Sequence, residues 1–194
     1  MVSYEYSDAN PFWNPEKNDI DFKYYIEKNN LAKPDLLFTF LTGNGLYVPY
    51  SNEFITHEKY ATKFLEQFHK DFPDALIGVM GIELPCCNGG VTACYGAQGY
   101  YHDWYGDTVT TLNYDKWLEN FTKLEEHASY MTYFDIKSQF DSEYSYPVEL
   151  VKVNNRSEIL ERIGTNGLHP SIDGYKQIGD AFYRFLVEMV KKIK

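Results

Sequence analysis

Three short, almost unbroken apolar runs organise this chain, at residues 34–41, 75–82 and around 129–136. Runs of this length without polar alternation fit strands buried on both faces, as in a parallel sheet. Between the first two, residues 58–70 carry Tyr60, Ala61, Phe64, Leu65 and Phe68 at helical spacing, which predicts one apolar helix face. Further helices are expected at 22–29, about 112–127 and about 172–192, and residues 8–22 read as a turn-rich, aromatic, structured loop. A polar, Tyr-bearing segment separates the third strand from the last helix. Strands alternating with helices of this length imply βαβ units, and so an α/β class with a parallel sheet covered by helices. A loop from Glu83 to about Thr108, rich in Gly, Cys, Tyr and Trp, follows the C-terminal end of the second strand. Open α/β sheets bind ligands at that edge, and a loop this long is read as a lid or cleft wall.

Composition narrows the class. The 194 residues suit a single domain spanning 1–194, and 44% hydrophobic with 24% charged residues is the balance of a globular protein. A formal charge of −10 argues against nucleic acid or an anionic membrane as partner, since both need clustered Lys and Arg. No run approaches the apolar length of a membrane span, and the N-terminal residues lack the pattern of a secretory signal. Cellular location stays open. Aromatic residues reach 18%, with 18 Tyr, which suits a wet contact surface such as a sugar cleft and equally suits a compositional bias.

Two positions carry candidate chemistry. Asn44, in Thr42-Gly-Asn-Gly45, leaves the first apolar strand between glycines, where its amide can donate into a cleft; a plain turn asparagine fits the same pattern. His169 precedes Pro170, whose ring keeps it extended, and a helix starts just beyond with Ser171 or Asp173 as capping residue. Such a corner presents a general base, or a bland helix-start histidine. If the strand ends share one edge, Asn44 and His169 become neighbours. Tyr47 and Trp104 are candidate substrate contacts, Trp104 fitting equally an aromatic cluster that closes the loop on itself, while His57, His69 and His127 are expected to be exposed. Cys86, Cys87, Cys94 and His102 do not match a zinc spacing, and loop packing or a disulfide is the better expectation. No cofactor and no metal is expected.

These residues give the chain a family likeness. The blocks Pro34–Gly45, Ser138–Tyr144 and Gly164–Leu186, with Asn44 and the His169-Pro170 corner, resemble the C-terminal two-thirds of an SGNH (GDSL-type) hydrolase. The resemblance implies a flavodoxin-like three-layer α/β/α fold and hydrolysis of an acyl or acetyl ester on a small molecule or polysaccharide. It implies that His169 activates a serine and Asn44 holds the oxyanion, through a seryl intermediate without metal.

The sequence departs from the family in three places. No Gly-Asp-Ser block occurs; the only Asp-Ser pair is Asp141-Ser142, after the third strand. Asn166 stands where the carboxylate that orients the histidine usually lies. An amide there is expected to accept from the imidazole N–H, without the charge that stabilises imidazolium. The family's Gly-x-Asn-Asp is Thr42-Gly-Asn-Gly45 here. The expectation is therefore a sheet lacking its first strand and a centre lacking its nucleophile, with an exposed sheet edge that favours a homo-oligomer. An incomplete hydrolase, a non-catalytic carbohydrate-binding or phage-associated structural module, and a hydrolase with a recruited nucleophile all stay open.

Overall fold

The computed structural model describes residues 6–40, 52–88, 104–167 and 169–193, with the backbone alone at 52, 53 and 104–111. It is a mixed α/β protein. Its elements in chain order are β1 (Trp13–Asn14), β2 (Asp19–Ile20), α1 (Phe22–Lys28), β3 (Leu36–Thr39), α2 (Asn52–Asp71), β4 (Leu76–Met80), α3 (Trp104–Thr122), β5 (Met131–Phe134), β6 (Val148–Lys152), β7 (Leu160–Gly164) and α4 (Ile172–Val190). Two compact units emerge: Met1–Met80 with Lys116–Phe134 and Glu188–Lys194, and Gly81–Asp115 with Asp135–Val187.

The first unit holds a parallel sheet of order β3-β4-β5, with Leu36 opposite Leu76 and Ile77 opposite Met131. The three apolar runs are these three strands. The central strand β4 is buried from Ile77 to Met80, which is why its sequence does not alternate. On α2, Phe54, Ala61, Phe64, Leu65 and Phe68 are buried, while Tyr60 is half-buried and stacks on Tyr6 with ring centroids 6.0 Å apart. Phe22 meets Phe64 and Phe68 edge-on at 4.8 and 5.2 Å, and Phe12 joins them. Each such ring is worth roughly 1.5–3 kcal/mol by burial alone.

Local chemistry sets the ends of α1. Asp21 is extended and accepts from Tyr24 N, the N-cap geometry, and also receives Asn14 Nδ2 at 3.0 Å and Lys17 Nζ at 2.6 Å. Burial would raise the Asp21 carboxyl, but these three donors overcome it and hold it at about 2. Beyond α1, Asn30 takes the left-handed conformation that stops the helix. The turn-rich stretch before it forms the β1–β2 pairing, Trp13 opposite Ile20, with Asn18 also left-handed in the turn.

Three expectations need correction here. First, α3 begins at Trp104, so the loop after β4 is shorter than its expected end near Thr108; residues 89–103 lie outside the described residues. Second, α3 stops at Thr122 and not at His127. The Thr122 hydroxyl donates back to Glu119 O at 2.9 Å, and the His127 ring folds under the helix end. His127 Nδ1 lies 2.9 Å from Phe121 O, capping a carbonyl with no partner inside the helix. This buries His127, which was expected to be exposed, and places its Nε2 3.5 Å from Glu66. Nor are its two companions exposed: His57 is half-buried, its imidazole pushed down to about 4 by burial, and His69 stacks flat on Tyr130. Third, the polar segment ahead of His169 is an antiparallel hairpin in the second unit, β6 against β7, with Val148 opposite Gly164 and Lys152 opposite Leu160.

Candidate functional site

The His169 corner is built within the second unit. Of the two candidate caps for α4, Ser171 takes the role: its Oγ accepts from Gly174 N at 3.2 Å and its carbonyl from Tyr175 N at 2.9 Å. Asp173 instead pairs with Lys176 at 2.8 Å. Four backbone bonds strap the corner to two coil segments. Gly164 N donates to Asn88 O at 2.6 Å, Thr165 N to Pro147 O at 2.9 Å, Cys86 N to Gly167 O at 3.2 Å and Ser171 N to Ser145 O at 2.7 Å. Gly174 is required by this packing, because a Cβ there would lie 2.3 Å from Ser145 O and 2.7 Å from Pro170 Cβ.

His169 is exposed on this rigid support. Asn166 holds it in an unexpected sense. His169 N donates to Asn166 Oδ1 at 2.8 Å, and Asn166 Nδ2 lies 3.4 Å from His169 Nδ1. A backbone N–H can only donate, so the amide atom it meets is the oxygen, and the atom facing the ring is the donor nitrogen. Nδ1 therefore faces a donor, an arrangement that favours the neutral tautomer with its proton on Nε2. The expectation that Asn166 accepts from the imidazole is thus corrected: its oxygen is already committed to the backbone. A general base in a serine triad needs the opposite tautomer, with Nδ1–H donating and Nε2 free to take the proton.

The remaining sequence candidates are placed as follows. Asn44 and Tyr47 lie outside the described residues, as do Cys94 and His102. Trp104 is the first residue of α3, described by its backbone alone. Cys86 and Cys87 are free thiols, both pushed up by burial, so neither forms the loop disulfide. Asp141-Ser142 forms a turn in which Asp141 Oδ1 accepts from Glu143 N and Tyr144 N at 2.9 and 3.0 Å. That geometry commits its carboxylate to the backbone and argues against a nucleophile block. Ser145 is fully buried, with no partner for its Oγ among the described residues.

A polar cluster elsewhere in the same unit was missed. Asp115 is buried; Ile82 N donates to its Oδ1 at 2.8 Å, and Lys137 Nζ lies 3.2 Å from its Oδ2 and 2.7 Å from Asp135 Oδ1. Burial, with the Asp115 charge adding, pushes the Glu83 carboxyl up to about 7. Tyr146, also buried, donates to Leu84 O at 2.8 Å, and burial together with the Glu83 charge holds its phenol above the ordinary range. A carboxyl that titrates near neutrality can give or take a proton at working pH. The signal was available: Glu83 comes three residues after β4 ends, at the carboxyl end of a parallel strand.

Among the described residues no cluster of three or more His, Cys, Asp or Glu is arranged to hold a metal ion, and no helix is long and apolar enough to cross a membrane. The chain matches no model of a known protein family and no curated protein.

Proposed function

We propose that the chain is an SGNH-type domain, flavodoxin-like with an α/β/α layering, whose corner at His169 meets an acyl or acetyl ester on a small molecule or polysaccharide. The observation that carries this reading is the corner itself: an exposed histidine before a buried proline, ahead of a Ser171-capped helix, strapped by four backbone hydrogen bonds. In the complete reaction His169 would take a serine proton, Asn44 would donate to the oxyanion and the acyl group would pass through a seryl ester to water. Two features make this chain inactive or nearly so in that reaction. Its sequence has no Gly-Asp-Ser block, and Asn166 turns Nδ1 of His169 into an acceptor.

The second feature favours one further reading, a non-catalytic carbohydrate-binding or structural module on the same scaffold. With its proton on Nε2, His169 is a hydrogen-bond donor toward solvent, able to hold an ester or sugar oxygen.

A fluorophosphonate probe, p-nitrophenyl acetate turnover and binding of acetylated oligosaccharides test the proposal together. The expected result is no adduct, no turnover and binding that weakens about tenfold in His169→Ala, the worth of one hydrogen bond. A serine adduct would overturn the claim that the chain is inactive. Binding unchanged by His169→Ala, or none at all, would overturn the role of the corner.

A further inference from the structure

We infer that the outer face of α4 is a self-association surface, on which two copies of this chain pair with their α4 helices antiparallel about a two-fold axis. The helix is continuous from Ile172 to Val190, so helical geometry alone fixes which residues share its outer face. Its inner side is settled: Gly174, Ile178, Ala181, Phe185 and Met189 are buried. Its outer side is mixed, with an exposed apolar line running beside charged residues. Ile172, Tyr183 and Val190 are 77%, 67% and 54% exposed and fall on one line, with Gly179 between the first two. Nothing lies within 4 Å of a Cβ built at Gly179, so the line has an open notch that a ring can enter.

The charges beside this line name the occupant. Asp173, Lys176, Asp180, Arg184, Glu188 and Lys191 alternate in sign at spacings of three and four residues, a single row along one flank. In an antiparallel pair each flank meets the same flank of its copy, and a two-fold makes every contact reciprocal. An axis level with Phe182 sets Asp180 opposite Arg184 of the second copy, Lys176 opposite Glu188 and Asp173 opposite Lys191. Every pair is of opposite sign. Sliding one copy by a turn either way sets Lys176 opposite Arg184, or Asp180 opposite Glu188, and like charges then meet. The row therefore specifies a partner, an orientation and a register. The same register brings Tyr183 of one copy to within about 3 Å along the axis of Gly179 of the other, and Ile172 equally near Val190. Within one copy Lys176 already pairs with Asp173 and Lys191 with Glu188, and Arg184 donates to Gln139 Oε1 at 2.9 Å, contacts that pairing with a second copy would share or replace.

Sedimentation equilibrium of the full chain tests this, with far-UV circular dichroism as the check on folding. Wild type is expected to be a dimer and Tyr183→Glu a folded monomer. Asp180→Arg alone and Arg184→Asp alone each place like charges across the axis, and each is expected to self-associate roughly tenfold more weakly. Mixed together, these two variants are expected to form a heterodimer of near wild-type affinity, because each supplies the charge the other lacks. A helix-internal role for the charges cannot produce that rescue. A monomeric wild type at high micromolar concentration, a dimer untouched by Tyr183→Glu, or an equimolar mixture no tighter than either variant alone would each overturn the proposal.

Discussion

The two units treat ionisable groups in opposite ways. In the first, a cluster of phenylalanines forms the interior, and its buried carboxylate, Asp21, meets Lys17, Asn14 and the Tyr24 N–H and titrates near 2. In the second, Asp115 and Lys137 are buried or nearly so, and Glu83 is left to titrate near 7. Enough donors keep a buried carboxylate charged, whereas burial beside a second carboxylate protonates it. The histidines repeat the contrast. His127 in the first unit donates from Nδ1 to a carbonyl and is buried; His169 in the second accepts at Nδ1 and is exposed. The first unit uses its polar groups to close a structure, and the second keeps a carboxyl that titrates near neutrality and an exposed imidazole.

That difference can be tested by substitution. The largest effect is expected from Phe64→Ala, which opens a cavity among Phe12, Phe22 and Phe68 and should cost about 3–5 kcal/mol in denaturant unfolding. Gly174→Ala should cost about 1–3 kcal/mol, because its methyl meets the Ser145 carbonyl. It should also alter the His169 signals in NMR, which Phe64→Ala should leave in place if the units behave separately. Asp21→Ala should cost about 1 kcal/mol as a lost cap. The folded pKa of Asp21 lies below its ordinary 3.8, so its contribution is complete above about pH 4 and is lost as the pH falls through about 2. Stability of the variant should be flatter with pH in that window.

Glu83→Gln should have an effect of the opposite sign. The folded protein holds a proton on Glu83 that the unfolded chain gives up above 4.5, so this contribution is full below 4.5 and lost as the pH rises through about 7. Urea midpoints from pH 5 to 8 should show wild type losing stability relative to the variant. Parallel curves would mean that Glu83 is not held protonated.

The three parallel strands were legible from their apolar runs, although only β4 is buried along its length while β3 and β5 are partly exposed, and α2 was legible because its rings recur at helical spacing. The start of α3 was not. Gly106 and the β-branched stretch Thr108-Val-Thr-Thr111 have poor helix propensity, and propensity is a weak prior against tertiary context. The β6–β7 hairpin was hidden by exposure: Leu150, Ile159 and Leu160 face solvent, so its apolar residues mark no core. The His169 corner and its Ser171 cap were readable, since proline and a capping hydroxyl act locally. What Asn166 does there was not, because its oxygen is taken by a backbone N–H whose direction depends on the fold of the turn. Glu83 stood in plain view, but its raised pKa depends on burial, which no local pattern reports.

The most direct test of the account is the tautomer of His169, read by long-range proton–nitrogen NMR of the imidazole in the neutral form. The account predicts the proton on Nε2 in the wild type and its transfer to Nδ1 in Asn166→Asp, where a carboxylate replaces the amide donor. A wild-type ring already protonated at Nδ1 would contradict it, and would return His169 to the state in which a serine hydrolase uses its base.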